Sequence, residues 1–237
     1  MLSNLEDTIV KKTTEDFPNG IKAYGADPLR ITLANLATTG RDINLSMQHV
    51  ESNRNFCNKI WNACNYINSL KIAESNIENI KVGISDQWIQ SKLDQLIENS
   101  HKYMKTHRID LLSKEIYEFL WHEYCDWYIE IAKIIINSKN YDEQYKYYVY
   151  SNLKKIFSSS LVILHPIAPF ITEELWTYLK SNEEELLIVT DFPEFKEELE
   201  FNQDKEEMNY FIQLISGSRN LRRSEEHTSE LQSPCNL

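Results

Sequence analysis

The chain contains few glycines and few cysteines, and both shortages exclude classes of function. Its five glycines are dispersed, so the sequence contains no glycine-rich loop that could cradle a phosphate group. Its four cysteines form no C-x-x-C pair, which argues against a structural zinc site and favours reduced thiols. The sequence also has no apolar run long enough to cross a bilayer and no basic-then-apolar signal at its N-terminus. We therefore expect a soluble, cytoplasmic protein that does not bind membranes.

Catalytic motifs are absent as well. The sequence has no H-E-x-x-H, no G-x-S-x-G and no His/Cys cluster with metal-ligand spacing, and its six histidines are scattered. His122 is better explained as a structural residue of an aromatic helix. The pair Glu173-Glu174 fits favourable charge near a helix N-terminus. From the residues alone we predict a binding or scaffold unit with no catalytic residues, no bound metal and no cofactor of its own.

Acidic charge is unevenly distributed. The formal net charge is −11, yet residues 1–72 hold eight Lys/Arg against seven Asp/Glu, while the remainder holds 17 against 29. Residues 171–207 alone carry three lysines and 13 acidic residues, a run typical of a solvated face. A polyanionic partner is therefore expected to bind the N-terminal third.

Apolar residues recur at helical spacing along most of the chain, which predicts an all-α protein, an antiparallel helix bundle preceded by a smaller connecting segment. One predicted helix has a single apolar row that runs from Leu112 through Phe119 and Trp127 to Ile134. Residues 185–193 are the only fair candidate for a strand. The predicted helices extend from about Asp27 to Thr38, Gln48 to Ala73, Ser85 onward, Arg108 to Asn137, Asp142 to Leu164, Pro169 to Leu179 and Gln203 to Arg222.

The predicted helix from Gln48 carries an ordered polar stripe. The stripe consists of residues that follow one another at four-residue steps, namely Arg54, Asn58, Asn62 and Tyr66. Lys59 lies beside them, and an apolar row lies on the opposite side of the helix. Arg and Lys can contact phosphates, Asn can read base edges and Tyr can stack on an unpaired base. The alternative is that these side chains only solvate an exposed face. The asparagines inside this helix count against that alternative, because asparagine is a poor helix former. They include Asn53, Asn55, Asn58, Asn62 and Asn65.

Several sequence blocks resemble those of one enzyme family, in the same order. They are "FPNGI" (17–21), "GADPLR" (25–30), "LATTGRDIN" (36–44), "RNFCNKIWNA" (54–63), "YEFLWHEYCDWYIEIAK" (117–133) and "LHPIAPFITEELW" (164–176). Together they resemble bacterial-type valyl-tRNA synthetases, which are class I aminoacyl-tRNA synthetases. The isoleucine, leucine and methionine enzymes share versions of the last block, whereas the third and fourth blocks are specific to the valine enzyme.

The resemblance implies a division of the chain and a partner. Residues 1–45 would end the catalytic-core and stem-contact segment, residues 46–200 would form the anticodon-binding bundle, and residues 201–222 would begin the following helix. The expected partner is the anticodon stem-loop of tRNA(Val). Tyr66 would stack on an anticodon base, Gln48 and Asn62 would form hydrogen bonds, and Arg54 and Lys59 would lie near phosphates. The remaining expected contacts come from Arg41, Asn44 and Asn58.

In this family the whole enzyme, expected to be a monomer, ligates valine to tRNA with ATP and Mg²⁺, using HIGH and KMSKS motifs and an editing domain. None of those parts is found in this sequence, so we expect these 237 residues to be an inactive part of a valine–tRNA ligase. Two alternatives remain open, a stand-alone helical RNA-binding or scaffold module and a sister synthetase. Residues 223–237 break the family pattern and resemble translated sequencing-adapter DNA, so they are expected to be artefactual.

Overall fold

Helices form nearly all of the regular structure in the computed structural model, which describes residues 2–38, 45–78, 80–180, 185–195 and 202–231. Within these ranges no β-strand occurs, which confirms the all-α prediction. The strand candidate at residues 185–193 was wrong, because it contains a short 3₁₀ helix, Leu187–Val189. The α-helices are α1 (Leu2–Asp16), α2 (Ala26–Leu36), α3 (Met47–Ser69), α4 (Ile84–Lys105), α5 (Ile109–Glu118), α6 (Ile129–Asn137), α7 (Glu143–Leu164), α8 (Pro169–Trp176) and α9 (Asn202–Leu231).

One hydrophobic core joins α2 to α8. The predicted apolar row of α3 is buried, with Phe56, Ile60, Ala63 and Ile67 all at most 6% exposed. Helix α2 packs against α3 and α5, and Ile31 on α2 belongs to the same core. The segment before residue 46 is therefore physically continuous with the bundle through α2. The divisions at residues 45, 200 and 222 stay predictions.

A π-helix, Phe119–Tyr128, connects α5 to α6 and corrects the predicted apolar row. Leu112 is buried as predicted, but Ile134 is 70% exposed. A π-helix bonds each residue to the fifth along instead of the fourth, so later side chains rotate away from the 3.6-residue pattern. The core positions beyond the start of this segment are instead Leu120, Tyr124, Tyr128, Ala132 and Ile135.

The position of Asp86 at the start of a predicted helix favours a role in capping that helix, but the structure shows a different role. Gly83 is the N-cap residue of α4, and Asp86 lies inside the helix at 1% exposure. Its carboxylate accepts hydrogen bonds from the hydroxyls of Tyr128 at 2.7 Å and Tyr145 at 2.6 Å. Burial raises the pKa of Asp86, while these hydrogen bonds oppose the rise. A Cβ at Gly83 would overlap the Tyr145 hydroxyl, so the network requires glycine there.

Asp27 caps a helix that lies more than 140 residues away in sequence. The sequence predicts that it caps its own helix, but its carboxylate accepts the backbone N–H of Ile171 at 2.6 Å and that of Phe170 at 3.5 Å, in the first turn of α8. Arg30 on the next turn of α2 donates from Nε to the carbonyl of Ile167 at 2.9 Å and from Nη2 to that of Pro166 at 3.1 Å. These two residues therefore fasten α2 to the turn between α7 and α8.

Helix α9 packs along α4 and ends beyond the predicted limit at Arg222. Met208 on its inner face is buried, and the Arg219 guanidinium lies 5.3 Å from the Trp127 ring centroid. The prediction that residues 223–237 are artefactual stays a prediction, and residues 232–237 lie outside the described ranges. None of the described helices is both long and apolar enough to span a bilayer.

Candidate nucleic-acid interface

The outer face of α3 presents the predicted polar stripe to solvent. Arg54, Asn58 and Asn62 are exposed, while the row on the opposite side is buried in the core. The fourth member, Tyr66, is half-buried because four-residue steps advance by 400° on a 3.6-residue helix. The stripe therefore drifts by about 40° per step and ends against the flank formed by the π-helix and α6.

Lys59 lies on that flank and already has two partners. Its Nζ is 2.5 Å from Asp126 Oδ1 and 4.0 Å from the Trp121 ring centroid. The ammonium is thus held in place by a carboxylate and an aromatic face on the π-helix. A phosphate at this position would have to compete with Asp126 for Lys59.

Tyr66 packs against the core and carries a cation over its ring. Lys133 Nζ lies 5.1 Å from the ring centroid, and the Tyr66 hydroxyl is buried with no hydrogen-bond partner among the described residues. Burial, and secondly the nearby charge of Glu130, raise the pKa of Tyr66. The ring therefore stays neutral near pH 7, as stacking on a base requires.

The remaining predicted residues lie at and before the start of α3. Gln48 is exposed in the first turn, with its amide side chain on the solvent side. Arg41 and Asn44 fall outside the described residues. The structure thus brings six of the eight predicted residues onto one helix, and their contacts with RNA stay a prediction.

Asn53 has a structural role in α3 that requires no ligand. It is 6% exposed and donates from Nδ2 to Thr32 Oγ1 at 2.8 Å, so it joins α3 to α2. This buried hydrogen bond offsets its poor helix propensity without any ligand. Asn55, Asn58, Asn62 and Asn65 are exposed, and for these four the sequence argument for a binding surface still applies.

A cleft opens beside the first turns of α3. It has a volume of about 330 Å³ and is lined by residues of α2, α3 and α5, including Asn35, His49 and Lys114. The Asn35 side-chain oxygen is buried with no partner among the described residues. The sequence does not predict this cleft, because the spacing of apolar residues does not show which polar residues of separate helices meet.

Titratable side chains of the described residues do not assemble into a metal site, since no group of three or more His, Cys, Asp or Glu residues is placed to hold an ion. The three described cysteines are buried and unpaired. Burial raises the pKa of Cys57 to about 12 and that of Cys64 to about 11. Such thiols are poor nucleophiles at neutral pH.

Comparison with known families identifies the helical bundle. Residues 86–234 match the family described as the anticodon-binding domain of tRNA ligase, which is more than half of the chain. The chain belongs to this family. The matched region of the anticodon-binding domain begins in α4 and ends beyond α8, so the stripe on α3 precedes it.

Similar proteins extend the match over α3. The chain is 38% identical over 229 residues to the valine–tRNA ligase of Legionella pneumophila (strain Lens), covering 94% of this chain and 25% of that protein. It is 36% identical over 226 residues to that of Psychrobacter arcticus, covering 90% and 23%. It is 38% identical over 222 residues to that of Coxiella burnetii, covering 91% and 24%. The chain thus spans about a quarter of the length of these relatives.

Proposed function

We propose that this chain is the tRNA-binding part of a valine–tRNA ligase and that the outer face of α3 contacts the anticodon stem-loop of tRNA(Val). The observation that carries the proposal is the exposed stripe of Arg54, Asn58 and Asn62 on a chain that belongs to an anticodon-binding family. The similarity to valine–tRNA ligases over 94% of the chain supports the choice of tRNA.

Each residue has a distinct proposed role. Arg54 carries an exposed guanidinium suited to a phosphate, and Gln48, Asn58 and Asn62 offer amides for base edges or sugars. Tyr66 offers the ring face opposite Lys133 for stacking on an unpaired base. Three further residues complete the proposed surface, Lys59 beside the stripe and Arg41 and Asn44 before α3.

The chemistry of the whole enzyme is proposed to lie outside these 237 residues. In a valine–tRNA ligase, valine activation uses ATP and Mg²⁺, and we propose that both act in the three quarters of the enzyme that this chain does not match. The chain alone is then expected not to attach valine to tRNA. The whole enzyme is proposed to be a cytoplasmic monomer.

Titration of tRNA binding tests the proposal. The 237-residue chain would be titrated into fluorescently labelled tRNA(Val), and into the same tRNA with a changed anticodon, at several salt concentrations. We expect tighter binding to the native anticodon, by roughly tenfold or more, because each mismatched contact costs about 1–3 kcal/mol. Equal affinity for both tRNAs would favour a general RNA-binding module, and no binding at low salt would refute the proposal.

Variants of the stripe test its location. Arg54→Ala should weaken binding and reduce the dependence of log K on log salt by about 0.7–0.9, because one phosphate contact is lost. Asn62→Ala should reduce the preference for the native anticodon without changing the salt dependence. Lys102→Ala, at an exposed position near the end of α4, removes one positive charge outside the stripe and outside residues 1–72, and it serves as the control. Stripe variants that bind like this control would place the RNA elsewhere.

A further inference from the structure

Two long stretches of this acidic chain contain no acidic residue. They are residues 52–73, which hold most of α3, and residues 144–172, which hold nearly all of α7 and the start of α8. Asp and Glu account for 36 of 237 residues, so acid-free runs of 22 and 29 residues are unusual for this composition. The first run carries the stripe. The second run lies outside the surface that is proposed to bind the anticodon stem-loop.

The solvent-facing side of α7 forms one wall of an open basin of about 540 Å³. Its residues share a face at helical spacing and carry hydroxyl or ammonium groups: Tyr147, Tyr150, Ser151, Lys154, Lys155 and Ser158. The Tyr147 and Tyr150 ring centroids are 6.5 Å apart, with the rings tilted by 41°. The buried Trp176 of α8 forms part of the opposite wall.

Cations outnumber carboxylates in this basin. Among the described residues, three lysines line it, Lys154, Lys155 and Lys180, against two acids, Glu74 and Glu185. Lys180 donates to the backbone carbonyl of Glu185 at 3.4 Å. Lys154 is half-buried and Lys155 is exposed, and both follow Tyr150 by about one helical turn. Ammonium groups beside aromatic rings and hydroxyls are the combination that single-stranded RNA contacts with its phosphates, bases and sugars.

The basin adjoins the end of the α3 stripe. Helix α3 ends at Ser69, and Ile72 already lines the basin. Three residues span at most roughly 11 Å even when fully extended, so the basin starts within that distance of the last turn of α3. A single RNA hairpin that lies along the stripe can therefore reach the basin from the last turn of α3.

We propose that this basin is a second contact for the RNA that α3 binds. Lys154 and Lys155 hold backbone phosphates, and Tyr147 and Tyr150 offer a surface for one unpaired base. The inference rests on the proposed function, because it places a second part of the same RNA. RNA fits the basin better than an acidic peptide does, since two aromatic rings beside paired ammonium groups match a base next to a phosphate.

The first test compares two double variants of equal charge. Lys154→Ala/Lys155→Ala should weaken binding of the 237-residue chain to tRNA(Val) by about tenfold, as expected for two charge contacts at the protein surface. The slope of log K against log salt should fall by about 1.4, or about 0.7 per lost single-strand phosphate contact. The control Lys102→Ala/Lys105→Ala removes the same charge from exposed positions at the end of α4. Lys154→Arg/Lys155→Arg retains the charge and should retain affinity, which separates charge loss from misfolding.

The outcomes separate the two proposals. If the unaltered chain binds no tRNA, the proposed function fails and this inference fails with it. If the unaltered chain binds tRNA but Lys154→Ala/Lys155→Ala binds as tightly as the α4 control, only the basin is refuted. Loss of binding in both the alanine and the arginine variants would also refute a phosphate contact, because restored charge would not have restored affinity.

A second test needs no substitution. Brief acetylation of the unaltered chain, followed by mass spectrometry of its peptides, would report the accessibility of each lysine with and without tRNA(Val). Lys154 and Lys155 should be protected by RNA several-fold more than the exposed Lys102 and Lys105 on α4. Equal modification of all four lysines in the presence of saturating tRNA would contradict the proposal.

Discussion

The cap that Asp27 provides for α8 leads to a sharp prediction about stability. Helix α8 begins after Ala168, an N-cap residue whose side chain has no oxygen to accept the first N–H groups. The carboxylate of Asp27 does so instead, at 4% exposure. Asp27→Ala should therefore leave the Ile171 N–H without its acceptor at a partly buried helix end.

The size of the effect follows from the two contacts. The 2.6 Å hydrogen bond to Ile171 has a charged acceptor, and such bonds contribute about 1.5–3 kcal/mol. The 3.5 Å contact to Phe170 is at the limit of hydrogen bonding and adds little. We expect Asp27→Ala to lower the free energy of unfolding by about 2–3 kcal/mol. In a chain of this length that corresponds to a fall in Tm of roughly 4–12 °C.

Urea unfolding followed by circular dichroism would measure this change. Asp27→Asn keeps one side-chain oxygen but not the charge, so it should cost about half as much as Asp27→Ala. Glu174→Ala removes an exposed carboxylate from the same helix and should change stability by less than about 0.5 kcal/mol. A loss below about 0.5 kcal/mol for Asp27→Ala would show that the cap does not stabilise the fold.

Four further substitutions have defined outcomes. Gly83→Ala should destabilise the chain by about 1–3 kcal/mol, because its Cβ would overlap the half-buried hydroxyl of Tyr145. Gly217→Ala, whose Cβ meets nothing within 4 Å, should stabilise α9 by about 0.5–1 kcal/mol. Changes of the same sign for both variants in thermal unfolding would refute the reasoning. Asp126→Asn should tighten tRNA binding about two- to fivefold by releasing Lys59, and weaker binding in the titration would show that the ion pair positions the lysine for RNA. The pKa of Asp86 is raised in the folded state, so its contribution to stability is greatest below its unfolded pKa and declines as pH rises through the folded pKa. The stability of Asp86→Asn relative to the unaltered chain should therefore increase from about pH 4 to pH 7. A difference in the free energy of unfolding that stays constant over this range in urea would contradict the prediction.

Helix positions were the most predictable part of this fold. The apolar row of α3 and the start of α7 at Asp142, whose side chain accepts the N–H of Tyr145 at 2.7 Å, follow from spacing and capping rules that act within a few residues. The π-helix was not predictable in the same way. Its buried Tyr124 and Tyr128 donate hydrogen bonds to Leu153 and Asp86 on other helices, and no local pattern marks the change to i→i+5 bonding.

The candidate surface likewise has features that the local sequence pattern predicts and features that depend on contacts between helices. The exposure of Arg54, Asn58 and Asn62 could be predicted, because a helix that buries one face must expose the other. The ion pair of Lys59 and the burial of Asn53 could not, because their partners lie on other helices, 67 and 21 residues away. Those contacts decide which polar residues of α3 are free to bind a ligand.

The sequence by itself determined an all-α chain, the polar outer face of α3 and the order of blocks that placed it beside valyl-tRNA synthetases. These properties depend on side-chain period and on residue identity, both of which a linear sequence contains. Only the tertiary structure decided that Asp27 caps α8, that Asp86 is held by two tyrosines, and that the acid-free face of α7 adjoins the end of α3. Each of these depends on which helices pack together, because burial and hydrogen bonding are set by neighbours in space and not by neighbours along the chain.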